Sequence, residues 1–173
     1  LDFNTSLGDI FSAMDQPTVD GVNAYFVAQA AKKAGLKVVL SGLGSDEIFC
    51  GYPSFRRMGT LHTLQNFPLA ARVSVTFFRG KKGSEKLNYL AHAGPLYLYL
   101  AIRGLFMPDE AAKILNVSES EVWNVVKKLE SALPAELYKL QPADALSYME
   151  LNFYMANQLL KDTDFMSMRH SIE

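Results

Sequence analysis

Lys37 to Gly51, KVVLSGLGSDEIFCG, decides how the chain is read. Lys37, Val38, Val39 and Leu40 make a short apolar, β-branched run bounded by glycines, the composition of a strand buried on both faces. Ser41 is then its last residue. Gly42 and Gly44 lack a Cβ, so successive N–H groups of the loop are free to turn inward around an anion. Asp46 and Glu47 follow directly as hard oxygen ligands of the kind Mg²⁺ shares with a phosphate chain. A plainer reading of the same residues is a strand-to-helix turn whose two acids favour the helix start.

Working outward, Leu7, Ile10, Phe11 and Met14 recur at helical spacing and predict a short amphipathic helix ending before Asp15-Gln16-Pro17. A second helix begins at Thr18 or Asp20, with Asp20 as its N-cap. Val22, Tyr25, Phe26 and Ala30 lie on one face, and Gly35 is the stop. Helix, strand, glycine loop and helix together form part of an α/β nucleotide-binding unit, whose ligands sit beyond the carboxyl ends of the strands. After Gly51 the pattern is helical, apart from a strand-like stretch at 72–78. Pro95 opens one helix. Ser118-Glu119-Ser120-Glu121 has capping-box spacing, and Val122, Val125, Val126, Leu129 and Leu133 predict its buried stripe. A last helix from about Ala143 carries Leu146, Met149, Phe153 and Leu160. The expected fold is predominantly α with one buried strand: the edge of a parallel-sheet α/β nucleotide domain over residues 1–52, and a helical subdomain over 53–173.

Bulk properties narrow the function classes. The chain has 173 residues, and its 49% hydrophobic content is ample for a core. Seventeen basic against eighteen acidic residues give a net charge of -1. There is no global field for nucleic acid or an anionic membrane surface. The basic group Arg79, Lys81 and Lys82 reads as a solvated loop. A lone Cys50 forms no internal disulfide and suits a reducing compartment, so a cytoplasmic location is expected. No stretch approaches a membrane span and no signal peptide stands at the start. His62 and His92 lack spaced partners for a metal, and Met166 and Met168 read as packing residues.

Two ordered segments carry a resemblance. Asp15 to Phe55, DQPTVDGVNAYFVAQAAKKAGLKVVLSGLGSDEIFCGYPSF, and Asn157 to Glu173, NQLLKDTDFMSMRHSIE, resemble the synthetase domain of the glutamine-hydrolysing asparagine synthetases. In that family the domain binds ATP and aspartate, forms β-aspartyl-AMP with release of pyrophosphate, and lets ammonia from a glutaminase domain displace AMP. The resemblance implies ATP and Mg²⁺ as cofactors. It also implies Ser41, Gly42, Gly44 and Ser45 along the nucleotide and pyrophosphate side, and Asp46 as Mg²⁺ ligand. Glu47 and Asp164 are weaker carboxylate candidates, each with a sufficient explanation as a helix-end acid.

The departures matter too. Many family members carry glutamate at the position of Leu43, where leucine cannot exchange protons or accept hydrogen bonds. The chain contains no Ser-Gly-Gly-x-Asp-Ser loop and no N-terminal cysteine nucleophile. It resembles an internal piece of a synthetase domain, expected to be inactive alone and to self-associate through Val38 to Leu40. The competing expectations are a β-lactam-synthetase-like enzyme acting on another carboxylate, and a non-catalytic helical module with a degenerate nucleotide-binding edge.

Overall fold

In the computed structural model, residues 3–18, 20–66 and 84–173 are described, and they divide into two compact units. The first joins Leu1–Phe49 to Glu150–Glu173; the second is Cys50–Met149. The strand-like stretch at 72–78 and the basic group at 79–82 lie outside the described residues.

The first unit contains α1 (Phe3–Ala13), α2 (Asp20–Lys33), the short α3 (Ser45–Ile48), a π-helical segment (Glu150–Leu159) and α9 (Leu160–Met168). Its main packing is α2 on α9, and its core gathers Ile10 of α1, Tyr25 of α2 and Met166 of α9. A second small cluster joins Ala28 and Ala31 to Ile172. These side chains come from both ends of the sequence. Burying them is what draws the ends together, at about 25 cal/mol per Å² of apolar surface removed from water.

The start of α2 is fixed by Thr18 rather than by Asp20. The Thr18 hydroxyl accepts hydrogen bonds from the backbone N–H groups of Asp20 (3.1 Å) and Gly21 (3.4 Å), so donors at the helix start are satisfied from two residues upstream of the expected cap. The helix ends as expected. Gly35 takes a left-handed φ of 76°, and its N–H bonds the Lys32 carbonyl at 3.0 Å.

The expected buried strand is not there. Among the described residues the chain is helical with no strand or sheet, and Val38, Val39 and Leu40 are 61%, 37% and 96% exposed. A parallel strand is buried only when neighbouring strands flank it and helices cover both faces. Here the described residues offer it one backbone partner, the C-terminal Glu173. The Glu173 N–H donates to the Lys37 carbonyl (2.9 Å), and the Val39 N–H donates to the Glu173 carbonyl (2.7 Å). The apolar, β-branched composition that predicted a buried strand therefore stands on an exposed, non-strand segment among the described residues.

The second unit holds α4 (Pro53–Asn66), α5 (Pro95–Arg103), α6 (Pro108–Leu115), α7 (Glu119–Ser131) and α8 (Pro142–Met149), with 3-10 turns at Ser84–Ala91 and Ala135–Lys139. α4, α5 and α8 pack on one another around Phe55, Met58, Leu96, Leu98, Leu146 and Met149. α7 starts as the sequence predicts. The Ser118 N–H donates to Glu121 Oε2 at 2.8 Å, and the Glu121 N–H to Ser118 Oγ at 3.3 Å. Its predicted stripe is buried only at Val126, while Val125 and Leu129 stand in solvent. Tyr97 donates to Glu130 Oε2 at 2.7 Å, and burial together with that carboxylate pushes its phenol up to about 12. No helix of the described residues is long and apolar enough to cross a membrane.

Candidate functional site

The glycine loop is closed by its own side chains. Ser41 Oγ accepts from the Leu43 N–H (3.2 Å), while Ser45 Oγ donates to the Gly42 carbonyl (2.7 Å), which also accepts the Ser45 N–H (3.3 Å). Two of the loop's N–H groups are therefore spent on the loop itself. An anion lying there would be met by other amides or would have to displace these bonds.

Gly44 sits at φ 91°, ψ -15°, and a Cβ built on it would lie 3.1 Å from the Met155 methyl of the π-helical segment. The left-handed conformation is costly for any residue but glycine, and a Cβ there would also press on the Met155 methyl. Around Gly42, by contrast, a Cβ would meet nothing within 4 Å. That side of the loop is open to a ligand.

Ser41 and Leu43 stand on the wall of a cavity of about 340 Å³ in the first unit, together with Val39, Asp20 and Asn23 of α2, and Asp162 of α9. Asp162 is 3% exposed and accepts a hydrogen bond from the Thr18 hydroxyl at 2.5 Å. Asp20 is held by the Tyr154 hydroxyl (2.8 Å) and by Gln158 Nε2 (3.3 Å), both from the π-helical segment. The Thr18 hydroxyl, already the anchor of α2, thus also links the helix start to the buried carboxylate. The cavity offers hydroxyl, amide and carboxylate groups against an apolar wall of Val27, Ala28 and Val39, the usual make-up of a small-molecule site.

The sequence-predicted residues divide around this cavity. Ser41 faces it. Gly42, Gly44 and Ser45 shape the loop beside it without lining it. Asp46 is exposed in the first turn of α3, Glu47 is buried at 1% exposure, and Asp164 is exposed on α9. Among the described residues no three His, Cys, Asp or Glu side chains are grouped to hold a metal. A lone accessible carboxylate such as Asp46 fits a Mg²⁺ ion shared with a ligand's phosphates, which needs only one or two protein carboxylates. It does not fit an ion held by protein alone.

Sequence reasoning missed Asp162, although the signal was present. Leu159, Asp162 and Met166 follow the i, i+3, i+7 spacing of one helix face, and all three are buried. Asp164 falls on the outward face.

Behind the cavity wall a second polar cluster ties the chain ends together. Asp9 of α1 receives the Tyr25 hydroxyl at 2.7 Å and a close guanidinium contact from Arg169. The Arg169 and Tyr25 hydrogen bonds hold the Asp9 carboxyl down to about 2. Burial, and then the Asp9 carboxylate, push the Tyr25 phenol up. His170 stacks edge-on against Tyr25, ring centroids 4.5 Å apart, and its Nε2 is buried without a hydrogen-bond partner among the described residues. Burial lowers its pKa.

Comparison with known proteins bears on the family of the chain. The family model described as asparagine synthase matches residues 2–173. Proteins named as glutamine-hydrolysing asparagine synthetases in Mycobacterium bovis and Mycobacterium tuberculosis are 28% identical over 181 residues, covering 99% of this chain and 27% of theirs. One from Bacillus subtilis is 26% identical over 185 residues, covering 99% of this chain and 28% of its own. The chain thus spans about a quarter of the length of these curated relatives. No solved structure matches it. With nearly every residue inside the family match, this chain belongs to the asparagine synthase family.

Proposed function

We propose that the chain supplies part of the synthetase site of an ATP-dependent carbon–nitrogen ligase that makes asparagine from aspartate, with ammonia delivered by a glutaminase domain. The observation that carries this reading is the family match over residues 2–173 together with the SGLGSDE loop standing at a largely apolar cavity that also carries Ser41, Asp20 and Asp162. In the reaction, a β-carboxylate oxygen of aspartate attacks the α-phosphorus of ATP and pyrophosphate leaves. Ammonia then adds to the acyl carbon, AMP leaves, and the surplus proton of the ammonium passes to a base.

In this scheme the open side of Gly42 receives the phosphate chain, with Ser41, Gly44 and Ser45 shaping the turn around it. Asp46 would hold Mg²⁺, whose charge offsets that developing on the departing pyrophosphate. Glu47, buried beneath the loop, serves to fix α3, and Asp164 is a peripheral carboxylate. The apolar side chain of Leu43 on the cavity wall favours one second reading: a related adenylating synthetase for a carboxylate other than aspartate. The cytoplasm suits either reading, since ATP is available there. As a separate chain the protein is inactive and self-associates through the exposed Val38 to Leu40.

Calorimetric titration with Mg²⁺-ATP, run in parallel on an Asp46→Ala variant, tests the assignment. Binding that weakens about tenfold or more in the variant supports it. An intact chain that binds no Mg²⁺-ATP leaves the non-catalytic module as the better description.

A further inference from the structure

The π-helical segment Glu150–Leu159 reaches two sides of the 340 Å³ cavity. On the α2 side, Tyr154 and Gln158 hold the Asp20 carboxylate, and Leu159 lines the cavity itself. On the loop side, Met155 Cε and Sδ fill the space at Gly44, 3.1 and 3.5 Å from where a Cβ would stand. Turns with i→i+5 spacing are rare and gather at functional sites. This one is pinned by side chains. Asn157 Nδ2 donates to the carbonyls of Asn152 (3.1 Å) and Phe153 (2.9 Å), five and four residues earlier, and Gln16 Nε2 donates to the Asn157 carbonyl (2.9 Å).

The helix that carries Asp46 needs such support. α3 is a single turn of four residues, far too short to stand as a helix alone, and it packs on this segment. It is entered through Gly44, and a glycine reaches backbone conformations on both sides of φ with little cost. A side chain seated against that glycine takes the freedom away. The flexible thioether of methionine suits the irregular gap that a missing Cβ leaves.

We infer that Met155 is a positioning residue for the nucleotide loop: carried to Gly44 by the π-helical turn, it fixes the direction in which α3 presents the Asp46 carboxylate. This rests on the ATP reading above and deepens it by naming what holds the loop. Met155 acts through Gly44 and α3, not on the ligand.

The experiment is Mg²⁺-ATP calorimetry on the intact chain and on Met155→Ala and Met155→Leu, with Met155→Ala also made in the Asp46→Ala background. Amide exchange at residues 42–46 is followed without nucleotide. Met155→Ala is expected to weaken binding about fivefold and to speed exchange at Gly44, Ser45 and Asp46, while exchange in α2 and α9 stays as it was. Met155→Leu should restore both. In the Asp46→Ala background the same change should weaken binding by less than about twofold, because both residues act on one contact. Asn157→Leu, which unpins the turn and leaves the loop residues unaltered, should reproduce the loss. Equal losses with and without Asp46 make Met155 merely structural and overturn the inference. Binding that falls in Asp46→Ala and is unchanged in Met155→Ala also overturns it, with the ATP reading left standing. A chain that binds no Mg²⁺-ATP overturns the ATP reading; unchanged exchange at 42–46 in Met155→Ala then overturns the inference as well, whereas faster exchange there upholds the hold of Met155 on the loop.

Discussion

Thr18 shows how much one hydroxyl carries. It accepts from two backbone N–H groups at the start of α2 and donates to the buried Asp162. Thr18→Val keeps the shape and removes all of these bonds, so we expect a loss of about 1–3 kcal/mol in urea unfolding. Thr18→Ser should recover most of it. His170 predicts a pH effect. Its pKa is lowered by burial, opposed by Asp9 and assisted by Arg169, Lys32 and Lys33. The unfolded chain therefore binds the proton more readily. Stability is complete above the unfolded value of about 6.5 and falls as the pH drops through the window beneath it. His170→Phe should flatten the fall in unfolding midpoint between pH 7 and pH 5. Asp9 acts lower on the scale: its contribution is present above about 3.9 and is lost as the pH falls toward its folded value of about 2.

At the scale of elements, local rules with a complete local partner were legible and rules needing a distant one were not. Ser118 and Glu121 satisfy each other within a single turn, and the capping box stands where the spacing predicts it. Ser118→Ala should cost about 1 kcal/mol of stability, read as a lowered thermal midpoint. Val125 and Leu129 of the α7 stripe and the segment Val38 to Leu40 followed the same composition logic and came out exposed. Periodicity reports which side chains could share a face, whereas burial depends on what arrives to cover it. Gly44 was singled out for a phosphate-binding loop, and its structure adds a second reason, the left-handed φ against Met155. Gly44→Ala should destabilise the first unit by about 1 kcal/mol or more, measurable as faster amide exchange in α3.

On the scale of the whole molecule, the cavity joins Asp20 and Ser41 to Asp162, more than a hundred residues further along the chain. Nothing in the spacing of these residues announces their meeting. What was legible was the identity of two segments, because Asp15 to Phe55 and Asn157 to Glu173 each resemble a family pattern as they stand. Their convergence follows from the return of α9 onto α2. A chain ended at Met149 loses Met166 and Ile172 from the clusters around Tyr25 and Ala28. Limited proteolysis of such a chain should cut within α1 and α2 while these segments resist cleavage in the intact protein.

The interrupted construction of the first unit also sets a timetable on the ribosome. Residues up to Phe49 are made well before their packing partners from Glu150 onward. At about 5–20 residues per second, the early helices wait on the order of ten seconds while Cys50–Met149 is synthesised. Throughout that interval Ile10 and Tyr25 lack Met166, and Ala28 and Ala31 lack Ile172, to cover them. The newborn chain is consequently a client for holding chaperones until the residues from Glu150 onward have emerged.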